Sequence, residues 1–361
     1  MLEQEELNEP EEDELVEDEA EPEHESFPVT YEITAYGADY PVDGLVSRVE
    51  SGDVEIPEFQ RQFIWTKRQS DRFIESLLLG LPVPGIFLAR SPSSTKLLVI
   101  DGQQRLRTLH GFYKGILRGR EYTLEHVADR FKGKTYETLE EDDKRRLNDS
   151  ILHATVVRQD QPSDDQSSIY SIFERLNTGG TDLSPQEIRA ALYQGAFNDL
   201  LFELNETPAW RDVFGRVSSR MKDQELILRF FALKHERDDY ARPMEKFLST
   251  FMASNRELDK YDAETLRREF VTTIEVVASA LGKRAFRLAQ ALNAALFDSV
   301  MVGLAERLAN GEVDGTEAVK MAYEALIANE DYLEASTRAT ADEARVGTRI
   351  GLAVDAFAPV T

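Results

Sequence analysis

The 361-residue sequence predicts an α+β chain, a mixed strand-and-helix domain followed by an all-helical domain. Up to about residue 160, short apolar runs of strand length alternate with segments of helical period. Beyond about residue 186 the apolar residues keep helical spacing almost throughout, as in "ELILRFFALKHE". Ahead of both, residues 1–26 hold 12 Glu and 2 Asp with no Lys or Arg. Such a stretch buries too little apolar surface to offset its ordering entropy, so a solvated acidic tail is expected over 1–28. The expected domains are 29–200 and 201–361.

Taken in order, "VTYEITAYG" (29–37) alternates as a strand, and "DGLVSRVESGD" (43–53) reads as a short helix closed by Gly52. "VEIPEFQRQFIW" then runs extended, because Pro57 forbids a helix interior. Thr66 suits the N-cap of a helix that runs to Gly80 and buries Phe73, Ile74, Leu77 and Leu78 on one face. "GIFLAR" and "KLLVID" are core strands about a Ser/Pro turn, and "ILHATVVRQ" is another. Residues 164–180 carry a helical pattern closed by Gly179 or Gly180. "SPQE" (184–187) is a capping box, with Ser184 at the N-cap, Pro185 at N1 and Glu187 at N3.

Composition removes several functions. There is no cysteine, so disulfides, thiolate metal sites and sulfur redox chemistry are excluded. No HExxH motif exists among the five histidines, and "GKT" (133–135) lacks the glycine a P-loop needs, because position 128 is Ala. No apolar run approaches the roughly 18 residues of a membrane span, and the acidic N-terminus is no secretory signal. A soluble cytoplasmic protein with no membrane partner is expected.

The net charge of −25 falls to −11 once residues 1–26 are set aside, and residues 54–120 reverse it, with 11 Lys/Arg against 5 Asp/Glu. A local excess of this sign suits phosphate, although Lys67, Arg68 and Lys114 taken singly suit solvated helix faces. Inside this region lies "VIDGQQRLRTLHGFYKG" (99–115), which reads as a strand, a turn at Gly102 and a helix with Leu106, Leu109 and Phe112 inward. Backbone N–H groups at a helix N-terminus attract anions. Gly102 allows close approach of a ligand, Arg105 can clamp phosphate oxygens, and Gln103 and Gln104 can read a base or ribose. Asp101 suits either a magnesium ion or an ordinary helix cap.

Two further segments carry candidate residues. Gln60 and Arg61 stand in "PEFQRQFIW", whose aromatics suit a buried strand face or a base-stacking surface. Arg175 and Asn177 stand in "FERLNTGG", at a helix end beside a glycine pair. His153 alternates within a strand and reads as structural.

The blocks "IPEFQRQFIW", "VIDGQQRLRTL" and "FERLNTGGTDLSPQEIRAAL", in this order, resemble the N-terminal domain of the GmrSD modification-dependent restriction enzymes, over roughly residues 40–200. The resemblance implies a ParB/sulfiredoxin-like fold that binds and hydrolyses a nucleoside triphosphate (NTP) with Mg2+. Its signature is Asp101 to Arg105, with Asp101, Gln104 and Arg105 in catalytic roles and Asp101 at the metal. Gln60, Arg61, Gly102, Gln103, Arg105, Arg175 and Asn177 would then line the nucleotide. "EASTRATADEARVGTRI" (334–350) also resembles a family block, with Arg349 as a further candidate.

Complete enzymes of that kind carry a second, His-Asn-His nuclease domain, for which this chain has no constellation. Cleavage would then need a partner nuclease chain. The expected role is the NTP-hydrolysing component of a restriction or anti-phage system that recognises modified or foreign DNA, with a homo-oligomer as a further possible assembly. The alternatives are a non-catalytic, nucleotide-gated module that binds DNA or protein, and direct cleavage by the ParB-like domain.

Overall fold

The computed structural model describes residues 16–17, 32–56, 65–90, 95–161, 170, 172, 184–313 and 315–360. The chain forms two compact units: one is Pro28–Leu183 with Ala190–Leu192, and the other is Met1–Phe27, Ser184–Arg189 and Tyr193–Thr361. With a mixed sheet in the first and helices in the second, the architecture is α+β.

The first unit is built on five strands: β1 (Glu32–Pro41), β2 (Val54–Glu55), β3 (Ile86–Arg90), β4 (Leu97–Asp101) and β5 (Ile151–Gln161). Their order is β1-β5-β3-β4-β2. The β1–β5 and β3–β4 pairs are antiparallel, while β5–β3 and β4–β2 are parallel. Four helices accompany the sheet: α1 (Val42–Ser51), α2 (Lys67–Leu78), α3 (Gln103–Lys114) and α4 (Glu141–Asp149). One core joins them, with Leu45, Ile74, Leu109 and Phe112 from the helices against Leu88 and Val156 from the sheet.

The local signals act as read. Gly52 ends α1 in the left-handed conformation at φ 76°. Thr66 caps α2 in a full capping box with Gln69. Leu106, Leu109 and Phe112 are fully buried. Trp65 packs edge-on against Phe73, with ring centroids 5.6 Å apart, so this aromatic belongs to the core.

In the second unit, Ser184 and Glu187 form the capping box of α5 (Pro185–Leu192). The long apolar region of helical period is divided: α6 (Ala263–Leu281) ends at Gly282, φ 63°, and α7 (Ala294–Leu308) starts afresh with Asn293 as its cap. Between them, Leu292–Asn293 pair in parallel with Val16–Glu17 from the acidic segment. The expected helix at 164–180 lies outside the described residues except for Tyr170 and Ile172. No described helix is long and apolar enough to cross a membrane.

Candidate functional site

The turn between β4 and α3 puts a carboxylate and a guanidinium side by side. Asp101 is the last residue of β4. Gly102 occupies the N-cap of α3 at φ 101°, ψ 10°, and no side chain caps this helix. Of the two roles the sequence leaves to Asp101, the cap position is therefore taken by Gly102. The Asp101 carboxylate instead faces Arg105, one turn on, with Oδ2 3.3 Å from Nη1. It remains about 42% exposed, whereas Arg105 is about 17% exposed.

Gly102 is required by the fold itself. A Cβ there would lie 2.3 Å from Cγ2 of Ile86, a core residue of the adjoining strand β3, and the φ is one that side chains disfavour. The close approach expected of this glycine is thus made to Ile86.

Arg105 is anchored twice through one atom. Nη1 donates to the Gly85 carbonyl at 2.8 Å and to Asp101, which fixes the guanidinium beside the strand end. Gln104 turns inward, and its Oε1 accepts from the Trp65 backbone N–H at 3.3 Å. Arg118 completes this clamp, donating from Nη2 to the Trp65 carbonyl at 3.0 Å. The last residue of the "PEFQRQFIW" block thereby rests on the second glutamine of the turn. Gln103 keeps a buried side-chain oxygen with no partner among the described residues.

Gln60, Arg61, Arg175 and Asn177 lie outside the described residues. Arg349 is fully buried in the helical unit, where its Nη2 lies 3.2 Å from Asp298 and it also donates to the Thr340 carbonyl. Burial pulls this guanidinium below its ordinary value, against the opposing pull of Asp298. Its surroundings are those of a core ion pair. His153 is exposed, and its Nδ1 pairs with Asp39 across the β1–β5 ladder at 2.6 Å. His235 pairs with Glu269 at 2.8 Å and stacks on Tyr261.

Four of the cations in residues 54–120 are paired in place, one of them with a carboxylate from outside that range. Lys67 pairs with Asp71, Lys96 with Glu55, Lys114 with Glu50 and Arg105 with Asp101. Sequence reading missed Gly85, whose carbonyl anchors Arg105; its one signal is a glycine between a proline and a strand. Among the described residues, no three His, Asp or Glu side chains gather to hold a metal ion.

Residues 42–194 match the family model of the GmrSD restriction endonuclease, N-terminal domain. This segment is a GmrSD N-terminal domain. It contains four of the five strands of the sheet, the Asp101–Arg105 turn and both outlying candidate segments. The chain thus carries a domain of restriction-type systems. An uncharacterized protein of Methanocaldococcus jannaschii is 33% identical over a stretch covering 18% of this chain and 15% of the relative. The match spans under one sixth of that relative's length.

Proposed function

We propose that the GmrSD N-terminal domain of this chain binds and hydrolyses an NTP at the Asp101–Arg105 turn, coupled to recognition of modified or foreign DNA in a defence system. The observation that carries this reading is the start of α3. A left-handed glycine opens a helix whose N-terminus no side chain caps, with Arg105 fixed beside it. The first-turn N–H groups and the helix dipole favour a phosphate there. Arg105 uses only Nη1 for its two described contacts, so Nη2 and Nε are the atoms that would grip phosphate oxygens.

Asp101 is the residue that would hold Mg2+, and its half-exposed single carboxylate fits an ion that takes one or two carboxylates plus substrate phosphates. When bound, that ion neutralises phosphate charge. Gln103, with its buried unpartnered oxygen, would orient a donor of the ligand. Gln60, Arg61, Arg175 and Asn177 are assigned to the nucleotide on the family resemblance. DNA cleavage is assigned to a partner nuclease chain.

Phosphate release measured with each of the four NTPs, with and without modified DNA, tests the reading. Turnover by the wild type that Arg105→Ala abolishes supports it. Turnover that survives Arg105→Ala overturns the assignment of the turn.

A second reading, nucleotide as a conformational ligand only, draws on the anchoring of Arg105 to Gly85 and of Gln104 to Trp65. A phosphate that captured Arg105 would loosen its hold on the neighbouring backbone. Saturable nucleotide binding without phosphate release would favour this gate over the enzyme.

A further inference from the structure

We propose that a cleft on the flank of α3 binds the phosphodiester backbone of a DNA strand; the choice of DNA rests on the DNA-recognition part of the reading above. The cleft encloses about 360 Å³, and its polar lining is Arg107, His110 and Arg118. Its floor is Gly111, where the hairpin that follows α3 packs so closely that a Cβ would meet the Ile116 carbonyl at 2.9 Å. Val49 and Ile56 complete an apolar wall against which a sugar or base edge can rest.

Arg118 is held in a strained position. Ile116–Leu117 and Arg120–Glu121 form a two-stranded hairpin, so Arg118 and Gly119 are its two turn residues, both left-handed at φ 52° and 71°. A two-residue turn of this hand favours Asn-Gly, and an arginine at its first position costs conformational energy. That arginine places its guanidinium on the Trp65 carbonyl and into the lining of the cleft.

The basic groups form a row rather than a cluster. Arg107 and His110 in the lining, and Lys114 just beyond it and paired with Glu50, lie one turn apart on α3, spanning about 10 Å of helix axis. A row of this length spans about three phosphate steps of one strand, at about 3.4 Å each along a duplex axis. His110 is half-buried, and burial first, then Lys114 and Arg107, lower its pKa against the opposite pull of Glu50. With Arg118 also lining the cleft, the groups around it are Arg107, Lys114, Glu50 and Arg118. A phosphate would reverse the balance and favour its protonated form, so binding should tighten as pH falls through the ordinary histidine range.

The test uses the full chain and a labelled DNA duplex, with fluorescence anisotropy at several salt concentrations and at pH 6 and 8. Arg107→Gln and Arg118→Asn should each weaken binding about tenfold and reduce the salt slope by about one. His110→Gln should remove the difference between the two pH values. Arg118→Asn also suits the turn, so its melting temperature should stay near wild type. DNA binding left unchanged by all three substitutions overturns the cleft while the DNA reading stands. Weaker NTP binding with unaltered DNA binding gives the cleft to the nucleotide and overturns the proposal. No DNA binding by the wild type overturns both.

Discussion

In the helical unit, Arg229 and Arg349 share Asp298 within the core, whereas in the sheet unit Arg105 is held beside a strand end that solvent reaches. Arg229 lies on the helix Lys222–Glu236. It grips Asp298 through two parallel bonds, Nε to Oδ1 at 3.0 Å and Nη2 to Oδ2 at 2.7 Å. Arg349 adds a third at 3.2 Å, and neither Asp298 nor Arg349 is exposed. Arg105 spends one nitrogen on Asp101 and Gly85. Two arginines that match family-like blocks thus have opposite prospects: one is consumed by the fold, and the other retains hydrogen-bonding capacity beside a helix N-terminus.

The largest expected effect breaks the buried side of this contrast. Asp298→Ala would leave two guanidinium groups in the core without their shared carboxylate, and removing one partner of a buried pair costs about 3–5 kcal/mol. Set against a typical total of about 5–15 kcal/mol, that is enough to lose cooperative melting of the helical unit. A melt that shifts by only a degree or two would show the network to be dispensable.

Next in size, Gly102→Ala tests whether the turn is built by the fold. The new Cβ would meet Ile86 at 2.3 Å in a disfavoured backbone conformation. Strain and overpacking together should cost at least about 2 kcal/mol, read as a lower denaturation midpoint. A near-neutral result would mean that α3 can start without the left-handed residue.

How much of this was legible follows from the range of each signal. The caps Thr66 and Ser184, the stop at Gly52 and the strand–turn–helix of residues 97–114 depend on residues within four or five positions, and the sequence shows them. Asp101 was ambiguous because the choice of Gly102 as cap depends on Ile86, on a different strand. Gln104 reads equally well as a ligand-facing amide until Trp65, 39 positions earlier, is seen to donate to it. Arg349 looked available because Asp298, 51 positions away, is its partner. The one local hint was a lone aspartate within the apolar run "AALFDSVMVGLA".

A smaller effect separates the units by acid. Burial would raise Glu225, but Lys222, Arg189 and Arg229 overcome it and hold the carboxyl below its ordinary 4.5. A carboxylate depressed in the folded state contributes stability that is complete above about 4.5 and is lost as pH falls through the folded value. Each unit carries one of the two tryptophans, Trp65 and Trp210. In a Trp65→Phe background, Trp210 fluorescence should therefore report a melting temperature that declines below pH 4.5, and Glu225→Gln should flatten the decline.

The smallest expected stability change is at Arg105, and its smallness sharpens the contrast. Arg105→Ala removes one bond to a carbonyl and one long contact to a half-exposed carboxylate. Such a loss is worth about 1 kcal/mol, because a solvent-reached ion pair gains little and water can replace the guanidinium. If Arg105 belongs to the ligand, nucleotide binding should collapse while the melting curve moves by only a few degrees. A stability loss as large as that of Asp298→Ala would instead make Arg105 another arginine of the buried type. The turn would then be a structural joint between β4 and α3, and the search for the nucleotide would move to other residues of the domain.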